Sequence, residues 1–215
     1  MNDSERQLVE QTRLHVVQRM GGQQAGHGLD HVWRVVNSAR EIQAQIGGDR
    51  LVVELSALLH DIGDAKFNDG VERSAEFSRI ILIELGASLA TIDHVVEIVD
   101  NISFRKGIDP ETLSLEGKIV QDADRLDALG AIGIVRTIEY GAVKGQPFYE
   151  PGNLGPDSKS GIGHFHEKLF KLRALLNTEP ARQIAQQREE FMHQFLNQFL
   201  KDCGESPTPK GERGF

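Results

Sequence analysis

At 215 residues the chain has the length of one well-cored domain with room for a tail, and it is short for two. Its net charge of -8, with 39% hydrophobic and 26% charged residues, excludes a disordered or fibrous chain and argues against a broad nucleic-acid footprint, which needs clustered Lys and Arg. A small anionic substrate stays open, because a bound cation reverses the local potential. Cys203 is the only cysteine, so neither a disulfide framework nor a thiolate metal site is expected, and a cytoplasmic home fits. The start, Met1-Asn2-Asp3-Ser4-Glu5-Arg6, has no basic region followed by an apolar one, and no run approaches the roughly 18 apolar residues of a spanning helix. Neither export nor a membrane partner is expected.

Ser4 and Gln7 read as a capping box for a first helix that runs to Met20, with Leu8, Thr12, Val16 and Met20 on its buried side and Gly21-Gly22 as the stop. After a glycine-containing loop, Leu29, Val32, Trp33, Val36 and Ala39 keep helical spacing and place His31 in the first turn of a core helix. Gly47-Gly48 ends it. Asp49 is a good N-cap for the next, whose stripe is Leu51, Leu55, Leu58 and Ile62, with Gly63 as the C-cap. His60 and Asp61 lie at the end of that helix. A loop follows with Asp64, Lys66 and Asp69, and then a helix over 72–85 closed by Gly86.

Ser88 caps a strongly amphipathic helix through Ile92, Val95, Val96, Val99 and Ile102, and 103–112 is a turn region with Gly107 and Pro110. Ile119, Ala123 and Leu126 mark a helix that also carries Asp122, Asp124, Arg125 and Asp127. Asp124 and Asp127 share one side of it while Asp122 points elsewhere. Ile132, Val135 and Ile138 stay in helical register. The stretch 141–163 reads as one long loop of the kind that serves as a lid or binding loop. Phe165, Leu169, Leu172 and Leu176 form another stripe, and Thr178 opens a last helix carried by Ile184, Phe191, Phe195 and Phe199. Residues 201–215 read as a disordered tail. With no convincing strand, the expectation is an all-α fold of eight or nine helices, a single compact multi-helix domain over residues 1–200.

An adjacent His60-Asp61 pair at a helix end either caps and hydrogen-bonds or contributes to a metal site. Joined by His31 and Asp124, it makes a mixed nitrogen and oxygen set that suits Mn, Fe, Co, Ni or Zn better than ions preferring all-oxygen shells. Such a site leaves positions for water and a substrate oxygen, as hydrolysis of phosphate esters or anhydrides requires.

His31, His60-Asp61, and Asp124 within Gln121-Asp122-Ala123-Asp124-Arg125-Leu126-Asp127-Ala128-Leu129-Gly130 resemble the H...HD...D signature of the HD superfamily of metal-dependent phosphohydrolases. The segments His164-Phe165-His166-Glu167-Lys168-Leu169 and 188–200 are similar to its small bacterial YpgQ-like branch. The resemblance implies a helical HD fold and one divalent ion (Mn, Co, Ni, Fe, Zn or Mg) on His31, His60, Asp61 and Asp124. It further implies a small anionic nucleotide substrate, with a nucleoside triphosphate cleaved to monophosphate and pyrophosphate. A neighbouring branch has a histidine before the position of Ser103-Phe104 where this chain has Asn101-Ile102, which argues for one metal rather than two. Asp64 takes the position of an acidic residue that orients or deprotonates water; the alternative for it is a loop cap. For phosphate contacts Arg34 and Lys66 are preferred over Arg125 and Lys168. His27 and His94 are expected at the pocket edge or the surface, and His164 and His166 in packing. The competing functions are an HD-type nucleoside monophosphate phosphatase or other phosphoesterase, and a non-catalytic nucleotide-binding regulatory module.

Overall fold

A helix over Arg50–Leu59 (α3) is buried from Val52 through Leu59 on every side, Glu54 and Ser56 included, and the helices around it position everything described below. The computed structural model describes residues 1–21, 28–102 and 109–205, leaving out the side chain of Phe67. Among these there is no strand, and nine α-helices are present: α1 (Asp3–Met20), α2 (Leu29–Ile46), α3, α4 (Ser74–Glu84), α5 (Leu89–Asn101), α6 (Leu115–Leu126), α7 (Gly130–Lys144), α8 (Gly161–Glu167) and α9 (Glu179–Asp202). The all-α expectation holds. The expectations for the loop before Gly28, including His27, for 103–108 and for 206–215 of the tail lie outside the described residues, while the start of the expected tail at 201 is corrected, because α9 continues to Asp202. No described helix is long and apolar enough to cross a membrane.

The chain divides into two compact units, one of residues 1–127 with 176–182, the other of 128–175 with 183 onward. In the first, α3 packs against α1, α2, α5 and α6, α2 packs on α6, and α4 packs on α5. Apolar spacing explains this: Val32, Val35, Val36, Ala39 and Ile42 of α2, Ile92, Val95, Ile98 and Val99 of α5, and Ile119, Val120, Ala123 and Leu126 of α6 are buried at i, i+3, i+4 intervals. The one carboxylate inside α3, Glu54, is 1% exposed and accepts from Arg50 Nε at 2.7 Å and from Arg40 of α2. Burial alone would push its carboxyl up, but the two guanidinium groups outweigh that and hold it below the usual range.

Several local expectations are corrected. The capping box of α1 is Asn2 with Glu5, two residues earlier than Ser4 with Gln7, because Asn2 Oδ1 accepts from Glu5 N at 2.9 Å while Glu5 Oε2 accepts from Asn2 N at 2.8 Å. Val9 rather than Leu8 joins Thr12, Val16 and Met20 in its buried face. Asp49 and Ser88 cap α3 and α5 as expected. The third helix stops at Leu59, with His60 as its C-cap, and Ile62 is buried beyond it. Gly63 is therefore no C-cap. It is needed for close approach: a Cβ there would lie 2.5 Å from the Arg73 carbonyl carbon and 2.6 Å from Ser74 N. Its own N–H donates to Ser74 Oγ at 3.0 Å and its carbonyl accepts from Arg73 N at 2.9 Å, which fixes the chain just after His60-Asp61 against the start of α4.

In the second unit the register of Ile132, Val135 and Ile138 is helical, but these side chains are exposed. Helix α7 buries Gly130, Gly133, Ile134 and Gly141 instead. A Cβ on Gly133 would meet the Ala128 carbonyl oxygen at 2.2 Å, so the glycine side faces inward and the bulky side faces out. The connection expected over 141–163 is shorter, because α7 continues to Lys144 and α8 begins at Gly161. Phe165, Leu169, Leu172 and Leu176 are all buried, though α8 ends at Glu167 and a 3-10 stretch, Leu169–Leu175, takes over. Along α9 the buried line is Ala181, Ala185, Glu189, Met192, Leu196 and Leu200; Phe191 is exposed, and Phe195 and Phe199 are half-buried beside Phe148.

Gly63→Ala is expected to cost about 1–3 kcal/mol, since the added methyl meets backbone that cannot swing away; a urea midpoint equal to the wild type's would contradict this. The lowered Glu54 pKa means that its stabilising contribution is complete above the unfolded value near about 4.3 and is lost as pH falls below it. Thermal melts across pH 3–7 (roughly that window) should therefore show a shallower acid limb for Glu54→Gln than for wild type, with the variant less stable at the neutral end.

Candidate metal centre

Three helix ends of the first unit deliver the expected residues. His31 lies in the first turn of α2, His60 and Asp61 follow the last turn of α3, and Asp124 lies in the last turn of α6. The C-termini of α3 and α6 carry partial negative charge, which favours a cation where they converge. His31 Nε2 lies 3.1 Å from His60 Nε2, 3.4 Å from Asp124 Oδ1 and 3.6 Å from Asp61 Oδ2. His60 Nε2 lies 3.5 Å from Asp61 Oδ2 and 4.0 Å from Asp124 Oδ1. His31 and His60 are buried, Asp61 is 18% and Asp124 43% exposed, so the cluster opens to solvent on its carboxylate side.

The outer nitrogens of both imidazoles decide what the inner ones can do. His60 Nδ1 lies 2.8 Å from the Ala57 carbonyl oxygen, a pure acceptor, so Nδ1 carries a proton and donates. His31 Nδ1 lies 2.7 Å from Asp127 Oδ2 and donates to it by the same logic. In neutral rings this leaves two Nε2 lone pairs facing each other with carboxylate oxygens beside them. Such a concentration of acceptors is stabilised by protons or by a cation, and the donor set fits a divalent ion. Burial pushes the His60 imidazole down, yet Asp61 and Asp124 outweigh it and hold its pKa above the ordinary value. His31, His60 and Asp124 form the one group of three or more metal-capable side chains among the described residues whose ligand atoms all lie within 4.8 Å of one another.

The HD domain family profile matches residues 28–129, which contain all of these positions. YpgQ of Bacillus subtilis is 39% identical over 196 residues, covering 90% of this chain and 93% of that protein. The chain belongs to the HD domain family. An HD-superfamily hydrolase from Bacillus thuringiensis superposes with a TM-score of 0.79 at 38% identity over 93% of this chain and 98% of that one. The structure of Bacillus subtilis YpgQ in complex with ADP superposes with a TM-score of 0.79 at 34% identity, over 96% of this chain and 98% of that one. This HD protein is accordingly a metal-dependent phosphohydrolase of the YpgQ-like branch.

The other expected site residues stand differently. Asp64 Oδ1 accepts from Lys66 N at 2.7 Å and caps the 3-10 turn Ala65–Phe67, just past the His60-Asp61 pair. Lys66 is exposed on that turn. Arg34 forks onto Asp127 and also reaches Asp30 Oδ2 at 2.7 Å. Arg125 is half-buried, and desolvation lowers its pKa against the pull of Asp122 and Asp124. His94 is part-buried near Ser114 and Glu116, while His166 packs edge-on to Phe170, with burial pushing its pKa down.

Two carboxylates were given no task by the sequence. Asp127, 2% exposed, receives His31 across 96 positions of chain. Its Asp-x-x-Asp spacing from Asp124 was visible, but its partner was not. Asp122, fully buried, accepts from Asn177 N at 2.8 Å, Asn177 Nδ2 at 2.9 Å, Thr178 N at 2.7 Å and Thr178 Oγ1 at 2.8 Å, and so anchors the start of α9. Burial pushes its carboxyl up, against these hydrogen bonds. Asp122→Ala is expected to lower unfolding free energy by about 2–3 kcal/mol while leaving Mn²⁺ uptake per folded protein unchanged; a loss of metal at full fold would show that Asp122 serves the centre instead.

Proposed function

We propose that His31, His60, Asp61 and Asp124 hold one divalent ion and that the protein hydrolyses nucleoside or deoxynucleoside triphosphates to the monophosphate and pyrophosphate. The observation that carries this reading is the pair of Nε2 atoms 3.1 Å apart, each outer nitrogen engaged, with Asp61 and Asp124 beside them. The complex of the Bacillus subtilis relative with ADP supports a nucleotide as the substrate class. An ion held there supplies Lewis acidity, lowering the pKa of water and polarising a phosphoryl oxygen.

The chain's own residues supply geometry and proton handling. His31 and His60 present Nε2 lone pairs because their Nδ1–H groups donate hydrogen bonds to Asp127 and the Ala57 carbonyl. Asp64, three residues past Asp61, orients the attacking water and accepts its proton. Water adds to the α-phosphorus, the bond to the bridging oxygen breaks, and pyrophosphate leaves with the electron pair. Lys66, exposed on the same turn, meets the departing phosphates as a mobile positive charge.

A panel of nucleoside triphosphates, ADP and nucleoside monophosphates, assayed with Mn²⁺, Co²⁺ and Mg²⁺, tests the proposal. Equimolar monophosphate and pyrophosphate from triphosphates is expected, and His60→Ala and Asp61→Ala should reduce turnover to background. Orthophosphate released from monophosphates alone would assign a phosphomonoesterase; binding without turnover would assign a regulatory module. Asp64→Asn should lower kcat by about 100-fold or more with metal content intact, and unchanged turnover would remove Asp64 from the mechanism.

A further inference from the structure

The two histidines of the centre are oriented by different kinds of acceptor, and helix polarity explains why. The last four carbonyls of a helix lack intrahelical partners, so at the end of α3 the Ala57 carbonyl is available to His60 Nδ1 at 2.8 Å. His31 lies at the opposite kind of end. At the first turn of a helix the backbone carbonyls are taken up by the N–H groups of the next turn, so the acceptor for His31 Nδ1 comes from elsewhere in the fold. Asp127, the C-cap of α6, supplies it at 2.7 Å.

A carboxylate held at one oxygen can rotate about its own bond and lose its aim at Nδ1, and Arg34 prevents this by holding both oxygens of Asp127. Its Nε donates to Asp127 Oδ1 at 2.6 Å and its Nη2 to Asp127 Oδ2 at 3.0 Å, while Nη1 donates to Asp30 Oδ2 at 2.7 Å. The fork fixes the carboxylate plane, because both oxygens are gripped by one rigid group.

We propose that Asp127 and Arg34 are a positioning pair that sets the tautomer of His31, so that Arg34 serves the centre through Asp127 rather than by binding substrate phosphate. This rests on the reading that His31 ligates a metal. The tautomer itself is a property of the metal-free protein and is measured there.

The test uses the full chain and the conservative variants Asp127→Asn, Arg34→Lys and Arg34→Gln, each checked for native helicity by circular dichroism. Long-range ¹H–¹⁵N spectra of metal-free, ¹⁵N-histidine-labelled protein should show the Nδ1–H tautomer of His31 in wild type and a shift toward mixed or Nε2–H forms in Asp127→Asn and Arg34→Gln, with His60 unchanged. Calorimetric titration with Mn²⁺ should show affinity about 10- to 100-fold weaker in both, partly restored in Arg34→Lys, and the KM for a deoxynucleoside triphosphate at saturating metal should stay near wild type. An unaltered His31 tautomer in both variants overturns the inference. So does a raised KM with wild-type Mn²⁺ affinity in Arg34→Gln, which would make Arg34 a phosphate ligand. Should wild type bind no Mn²⁺, the proposed function fails, and the spectra still decide whether the pair sets the tautomer.

Discussion

Two imidazole Nε2 atoms 3.1 Å apart, flanked by the carboxylates of Asp61 and Asp124, are a repulsive arrangement that the surrounding fold imposes. Protons or a cation between these groups turn the arrangement attractive. The restraint comes from outside: α2, α3 and α6 pack on one another through apolar stripes, and each contributes a helix end at the same place. Packing energy distributed over Val35, Leu55, Leu59, Ile119 and Ala123, all buried, thus offsets the local cost of a cation-demanding centre.

The run Asp122-Ala123-Asp124-Arg125-Leu126-Asp127 illustrates how helical geometry separates tasks within one short motif. Ala123 and Leu126 are fully buried and seat the helix. Asp124 faces the centre, Asp127 faces the outer nitrogen of His31, and Asp122 faces the start of α9. Three carboxylates within six residues therefore contact the His31–His60 cluster, the outer nitrogen of His31 and the start of another helix. A substitution at any one of them should be read with these separate contacts in mind, because neighbouring residues face different parts of the first unit.

Much of the first unit was legible in the sequence because its helices obey simple rules: apolar residues at helical spacing, Asp49 and Ser88 as caps, glycines after helix ends. The four candidate ligands were legible only as a motif, since adjacent residues such as His60 and Asp61 point apart in a regular helix. The structure resolves the difficulty by ending α3 at Leu59, so the pair sits on a turn rather than inside the helix. The Asp127–His31 and Arg34–Asp127 contacts were not legible, because each spans more than ninety positions and no local pattern encodes it. In the second unit, glycine-mediated packing inverted the simple rule, turning Ile132, Val135 and Ile138 outward. Likewise Ala181, Ala185 and Met192 prevailed over larger aromatic residues as the buried line of α9.

The central claim concerns the ligand set, and anomalous diffraction from Mn²⁺-soaked crystals at the manganese edge tests it most directly. The account predicts a single strong anomalous peak within about 2.0–2.3 Å of His31 Nε2, His60 Nε2 and carboxylate oxygens of Asp61 and Asp124, the range of first-row metal–ligand bonds. A peak elsewhere in the chain, or one at this position contacted by neither imidazole, would contradict it.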